Sequence, residues 1–267
     1  METSRNAESP ASGFRGRIAV VTGAGTGIGQ AIAARLAADG ARIVLCGRTT
    51  TSLERAAREL PPGSSHLAPM DVRDPEAMER VFEKLPWGGG RVDILVNNAG
   101  ISGVRPAADR GEDIWDDVLA TNLSGAYFAA RAAIPRLPDG PASRIVMISS
   151  VLGKFGVPGY AAYCSSKHGM IGLTRALALE LAPRRIPVNA VCPGWVETEM
   201  AAAGIARMAS EMGVDPAEAK RRALERVPLG RFVEPAEVAG LVAYLCSPET
   251  AAMTGQAINL SAGAVWW

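Results

Sequence analysis

The stretch Ile18-Ala19-Val20-Val21-Thr22-Gly23-Ala24-Gly25-Thr26-Gly27-Ile28-Gly29 decides how the rest of the chain is read. Its first four residues form a short apolar run, glycines then stop it, and helical periodicity runs from Ile28 to Ala38. A buried strand that turns through glycines straight into a helix is the opening of a nucleotide-binding strand–helix unit. Without Cβ atoms the backbone can approach a diphosphate closely, and the helix N-terminus presents N–H donors to it. The spacing is GxxxGxG rather than GxGxxG. Gly23, Thr26, Gly27, Ile28 and Gly29 are the cofactor-binding residues expected of this turn.

Outward from that turn, apolar runs alternate with helical patterns. The runs Ile18–Val21, Arg42–Cys46, Asp93–Val96, Arg144–Ile148 and Val188–Val191 read as strands buried on both faces. Between them, Ile28–Ala38, Ser52–Glu59, Glu76–Leu85, Ile114–Arg136 and Lys167–Leu181 read as helices. This alternation predicts an α/β protein, a single-domain doubly wound parallel sheet of the Rossmann type with helices on both faces. The domain is expected over residues 15–267, after a flexible polar tail over 1–14. The alternation breaks after Thr198: residues 199–226 are helical without a preceding strand, which suggests a helical lid over about 199–228. A helix over Pro235–Cys246 and a strand over Ala257–Leu260 close the pattern.

Composition narrows the function. Of 267 residues, 48% are hydrophobic and 21% charged, with a net charge of +1, so no field points to nucleic acid or an anionic membrane. No secretory signal or membrane-length apolar run is visible, and the protein is expected to be cytoplasmic. Four cysteines without CxxC spacing and two histidines argue against a metal site and read as reduced, mostly buried thiols.

The acid/base chemistry is carried by Tyr163-Cys164-Ser165-Ser166-Lys167, where a phenol and an ammonium four residues apart share one helix face. A free tyrosine holds its proton to about pH 10, and a neighbouring ammonium favours the phenolate. With a serine hydroxyl from another segment, such a pair suits interconversion of a carbonyl and an alcohol. The second strand ends Leu45-Cys46-Gly47-Arg48, with glycine where an NAD-selecting acid would stand. Arg48 next to it could pair with a 2′-phosphate, favouring NADP (NADPH) over NAD.

These motifs, in this order, resemble the short-chain dehydrogenase/reductase family from Arg17 to about Gly263. The resemblance rests on the glycine turn, Asn97-Asn98-Ala99-Gly100, Asn122, Ser150, Tyr163, Lys167 and Pro193-Gly194-Trp195-Val196-Glu197-Thr198. It implies that Tyr163 is the proton donor or acceptor and that Ser150, thirteen residues earlier, holds the substrate oxygen. Lys167 would bind the nicotinamide ribose and lower the tyrosine pKa, while Asn122 would maintain a proton relay. Asp71 and Val72, with Asn98, Ala99 and Gly100, would meet the adenosine side. Pro193, Gly194, Val196 and Thr198 would meet the carboxamide side.

For the substrate pocket, Leu152, Phe155, Val157, Tyr160, Trp195 and Met200 flank the catalytic motifs and could form an apolar wall. The run Val188–Thr198, together with Arg226-Val227-Pro228-Leu229-Gly230-Arg231, looks like bacterial 3-oxoacyl and polyketide ketoreductases. Arg184, Arg207 and the cluster near Arg221 are candidates for meeting a phosphopantetheine or carrier protein. Ile101-Ser102-Gly103-Val104 lacks the Pro-Gly-Gly run of aromatic polyketide ketoreductases. A dehydrogenase of a free cyclic or aryl secondary alcohol is the alternative, and a non-catalytic NADP-sensing protein the third reading. The terminal Trp266 and Trp267 suggest burial against a neighbouring subunit, in line with the homotetramers common in the family.

Overall fold

The computed structural model describes residues 13–266; the expected tail therefore lies outside the described residues up to position 12, as does Trp267. Seven parallel strands form one sheet: β1 (Ile18–Thr22), β2 (Arg42–Gly47), β3 (Ser65–Pro69), β4 (Ile94–Asn97), β5 (Arg144–Ile148), β6 (Val188–Pro193) and β7 (Ala257–Leu260). Their spatial order is β3-β2-β1-β4-β5-β6-β7. In register, Val20 stands between Val44 and Leu95.

Successive strand residues feed opposite cores, as the period of two requires. Val20, Val44 and Leu95 enter one core with α3 (Pro75–Glu83), α5 (Gly125–Ala133) and α6 (Ala161–Leu181). Ala19, Val21, Ile43 and Leu45 enter the other with α1 (Gly27–Ala38), α2 (Thr50–Arg58) and α9 (Pro235–Cys246). The chain leaves β1 towards β3 on one side and returns through β4 on the other. The crevice between the carboxyl ends of β1 and β4 is thus the topological switch point where such sheets bind ligands.

Three departures from the periodicity matter for the site. The sequence pattern misses β3, because Ser65-His66-Leu67-Ala68-Pro69 has no apolar run; it is an edge strand, where one neighbour and a half-solvated face suffice. The helix expected over 114–136 is broken by a π-turn over residues 120–124, between α4 (Trp115–Leu119) and α5. And α6 begins six residues before Lys167, with Tyr160 as its N-cap directly after the left-handed Gly159 (φ 79°), so Tyr163 is helical.

Beyond β6 come α7 (Glu199–Met212) and α8 (Pro216–Leu224), separated by Gly213 in the left-handed region at φ 65°. They enclose an apolar cluster of their own, Ile205, Ala209, Ala219, Ala223 and Phe232. At the far end of the sheet the buried Arg144 donates to the carbonyls of Leu245, Ser143 and Ser247, and with Thr250 and Arg17 it satisfies the C-terminus of α9. All four cysteines are buried and unpaired, and no helix among the described residues is long and apolar enough to cross a membrane.

Candidate active site

A cavity of about 480 Å³ opens at the switch point, walled by the glycine turn, the end of β2, Asn98–Gly100 and the start of α6. The turn is tight for a stated reason. A Cβ on Gly29 would stand 2.1 Å from the Gly23 carbonyl oxygen, and one on Gly23 would stand 2.9 Å from Ala99 Cα. Gly23 and Gly27 also take the left-handed backbone, at φ 64° and 54°. Asn98 fixes the turn by donating from Nδ2 to the Thr22 and Gly23 carbonyls at 2.9 and 3.1 Å. The N-terminus of α1 has no side-chain cap and no acid in its first turn, so its N–H groups remain available to an anion. A cradle that any side chain would fill, ending on an uncapped helix, fits a dinucleotide diphosphate.

Beyond the glycine turn the cavity is lined by Gly47, Arg48, Thr49, Ser52 and Arg55, together with Asp71 and Val72. Ser52 and Arg55 are additions to the expected site. Their signal in the sequence is the i, i+3 spacing on α2, which turns both side chains to the same face as the end of β2. Asp71 is held by Arg73, whose Nη2 donates to it at 2.7 Å, and that contact keeps its carboxyl below the usual carboxylate range. Thr198, which begins α7 by accepting from Ala201 N–H, reaches over the glycine turn. Pro193, Gly194 and Val196 stand behind it and do not line the cavity; Gly194 N–H is taken by the Leu260 carbonyl at 3.0 Å.

At the inner end Tyr163 and Lys167 lie one turn apart on α6 and both line the cavity. The Ser150 side chain stands close enough to the Tyr163 phenol to favour its ionised form, although Ser150 itself lies just outside the cavity lining. Ser150 Oγ is fixed in turn by the Leu152 N–H at 3.1 Å. Ser149 points the other way, donating from Oγ to the Lys167 carbonyl at 3.0 Å, as strand alternation predicts.

The expected effect of Lys167 on the phenol is not what this geometry produces. Burial pushes Tyr163 up to about 12, with the Ser150 side chain opposing it. Lys167 is itself brought down to about 8 by burial. Its ammonium is 5.6 Å from the Tyr163 ring centroid and is turned onto the Ile148 carbonyl at 2.8 Å. Desolvation is the leading cause of both shifts.

Asn122 sits in the π-turn, fully buried. Its Nδ2 donates to Ser166 Oγ at 3.0 Å, and Ser166 Oγ donates to the Tyr163 carbonyl at 2.8 Å. The inserted residue of a π-turn re-aims one side chain, and here it aims Asn122 into the helix that carries the tyrosine.

Of the six residues expected to wall the substrate pocket, Met200 lines this cavity. Leu152, Phe155, Val157 and Tyr160 lie partly buried along the approach to α6, outside its lining. Trp195 packs elsewhere: it stacks on Phe232 at 5.4 Å, beneath Gly204, because the α7–α8 cluster needs an aromatic floor. Arg184 and Arg221 are occupied internally, by Asp139 and Glu218 at 2.7 Å each.

Comparison with known proteins agrees with this geometry. A family model described as enoyl-(acyl carrier protein) reductase matches residues 23–264. A putative ketoacyl reductase of Streptomyces coelicolor is 42% identical over 250 residues, covering 92% of this chain and 96% of that one. The 3-oxoacyl-(acyl-carrier-protein) reductase FabG of Escherichia coli is 37% identical over 250 residues, covering 94% and 98%. Among solved structures, a single-substitution variant of the actinorhodin polyketide ketoreductase with NADPH superposes with a TM-score of 0.85 at 40% identity, over 93% of this chain and 97% of that one. The family match over residues 23–264 and the similarity along nearly the whole length to these reductases place the chain in the short-chain dehydrogenase/reductase family of oxidoreductases acting on CH–OH and carbonyl groups.

Proposed function

We propose that this protein is an NADPH-dependent ketoreductase that reduces a 3-oxoacyl or polyketide-like carbonyl to the secondary alcohol. The observation that carries the reading is that Tyr163 and Lys167, with Ser150 beside the phenol, share one cleft with the glycine cradle. The nicotinamide, when bound, supplies the hydride.

The chain's own groups do the rest. Ser150 Oγ and Tyr163 Oη hold the carbonyl oxygen between them, and Tyr163 gives its proton to the alkoxide as it forms. A phenol raised to about 12 stays protonated at neutral pH, which is the form reduction requires. An alkoxide is far more basic than a phenolate, so the transfer still runs downhill. Lys167 holds the ribose side and supplies positive charge near the phenol. Asn122 keeps the loop at Ile101 and the Tyr163 turn in register.

NADPH is favoured by Arg48 at the end of β2, joined by Arg55 on the same wall, where a 2′-phosphate would meet two guanidinium groups. Gly23, Thr26, Gly27, Ile28 and Gly29 would take the diphosphate, Asn98–Gly100 with Val72 the adenosine side, and Thr198 the carboxamide. The substrate is a small carbonyl compound, free or carried on an acyl carrier or CoA thioester. The names of the relatives support the thioester form, and α7 and α8 would cover it as a lid. Assembly as a homotetramer is supported by exposed apolar residues near the end of the chain, Tyr244 and Trp266. The test is loss of NADPH absorbance against a panel of 3-oxoacyl thioesters and free ketones; binding of NADPH without turnover of any of them would overturn the reading.

A further inference from the structure

One cation of the α7–α8 pair stands apart from the others. Lys220, Arg221 and Arg222 each meet a carboxylate at 2.6–2.7 Å. Among the described residues Arg207 has Glu211 alone as an ionic partner, at 3.7 Å, and its one hydrogen bond is to a neutral group, the Tyr160 hydroxyl at 2.5 Å. Its guanidinium carbon also lies 5.5 Å from the Tyr160 ring centroid. A guanidinium carries five donors and a phenol oxygen satisfies one of them.

The position of this cation is as informative as its partners. Tyr160 packs edge-on against the catalytic Tyr163, ring centroids 6.3 Å apart, so Arg207 is two aromatic steps from the reacting phenol. Met200, which lines the cavity, lies seven residues before Arg207 on α7. Seven residues are two turns, so both side chains share one stripe, about 10 Å apart along the axis. The cavity lining ends on α7 at Met200, and Arg207 lies two turns beyond it, a half-buried, under-neutralised cation next to Tyr160. Tyr160 accepts from Arg207, which leaves its own O–H free to donate. Guanidinium and phenol then converge on one acceptor, the arrangement that binds a carboxylate.

We propose that Arg207, with the Tyr160 hydroxyl, is a specificity-determining pair that reads a carboxylate at the far end of the substrate, selecting an oxo acid or an oxoacyl chain ending in a carboxylate. This rests on the ketoreductase reading of the cleft, and its test separates the two. The probes are 8-oxononanoate and its methyl ester, with NADPH-loaded wild-type protein and Arg207→Gln and Arg207→Lys variants. The acid should exceed the ester in kcat/KM by roughly 10- to 100-fold, mostly through KM, as one charge-assisted contact implies. Arg207→Gln should bring that ratio close to one, and Arg207→Lys should restore part of it. Calorimetric binding of the acid gives the same comparison without turnover: a Kd about tenfold weaker in Arg207→Gln supports the pair even if no ketone is reduced, which would count against the ketoreductase reading alone. Equal use and equal binding of acid and ester by the wild type, or an acid preference that survives Arg207→Gln, would overturn the proposal. So would an Arg207→Gln effect confined to discrimination between phosphopantetheine and pantetheine thioesters, since the group being read would then be a phosphate.

Discussion

Asn122 holds Ile101 by both of its backbone polar groups: Oδ1 accepts from the Ile101 N–H at 2.8 Å, and Nδ2 donates to the Ile101 carbonyl at 2.9 Å. With the bond to Ser166, one buried amide links the loop after β4 to the helix that carries Tyr163. Asn122→Asp keeps the acceptor and loses the donor. It should cost about 1–3 kcal/mol of stability by urea unfolding, because a buried carbonyl loses its partner. It should also lower kcat, with KM for NADPH little changed.

Tyr163→Phe removes the proton donor and leaves the ring in place. Turnover should fall by a factor of about 10² to 10⁴, the usual worth of a positioned acid. NADPH binding, followed by fluorescence, should stay within a few-fold of wild type. A fully active variant would contradict the role given to this residue.

The pH dependence of stability has a definite sign. The pKa of Lys167 is lower in the folded protein, about 8, than its ordinary value of 10.5, so between these limits the unfolded chain binds the extra proton. Stability from this group therefore rises with pH from about 8 towards 10.5. Tyr163, raised from 10.0 to about 12, acts oppositely above pH 10, where its folded form retains a proton that the unfolded chain has lost. Between pH 8 and 10 the wild type should gain on the order of 2 kcal/mol relative to Lys167→Met, measured by denaturant titration at each pH. A flat difference across that window would mean that the lysine is not desolvated.

Arg48→Ala should raise KM for NADPH about tenfold and leave NADH nearly unaffected, with Arg48→Ala/Arg55→Ala larger still, as loss of charge-assisted contacts to a 2′-phosphate requires. A parallel rise for both cofactors would assign these arginines to the adenosine generally rather than to its phosphate.

Gly29→Ala tests the cradle directly. The new Cβ would overlap the Gly23 carbonyl, so the turn must open. The expected cost is about 1–3 kcal/mol in thermal unfolding, together with a large loss of NADPH affinity. Substitution at Gly63, where nothing lies within 4 Å of a Cβ, should leave NADPH affinity unchanged.

Much of this is legible in the sequence because the chain repeats one local decision. Strands buried on both faces read as plain apolar runs, and the glycines after Thr22 can mark only a tight, phosphate-ready turn. The motifs around Ser150, Tyr163 and Lys167 are short-range and fixed in spacing, so their proximity is readable. What stays hidden depends on tertiary placement. β3 is held by pairing with β2 and not by its own composition, and the π-turn at Asn122 leaves no mark on the apolar periodicity. Trp195 is apolar beside a catalytic motif, but only the fold says that Phe232 claims it. The tyrosine pKa escapes the sequence for a similar reason: spacing gives the nearness of an ammonium, while desolvation depends on the walls around it.

The separate apolar cluster under α7 and α8 has a consequence for how changes in this protein will register. Ile205, Ala219 and Phe232 belong to neither of the two cores that hold the sheet, so the helical pair is expected to open as a unit of its own. Damage inside it, such as Ala219→Gly, should leave the melting of the sheet nearly untouched. It should appear instead as faster amide exchange across both helices together. A change in these two helices can therefore leave the scaffold that holds Tyr163 alone.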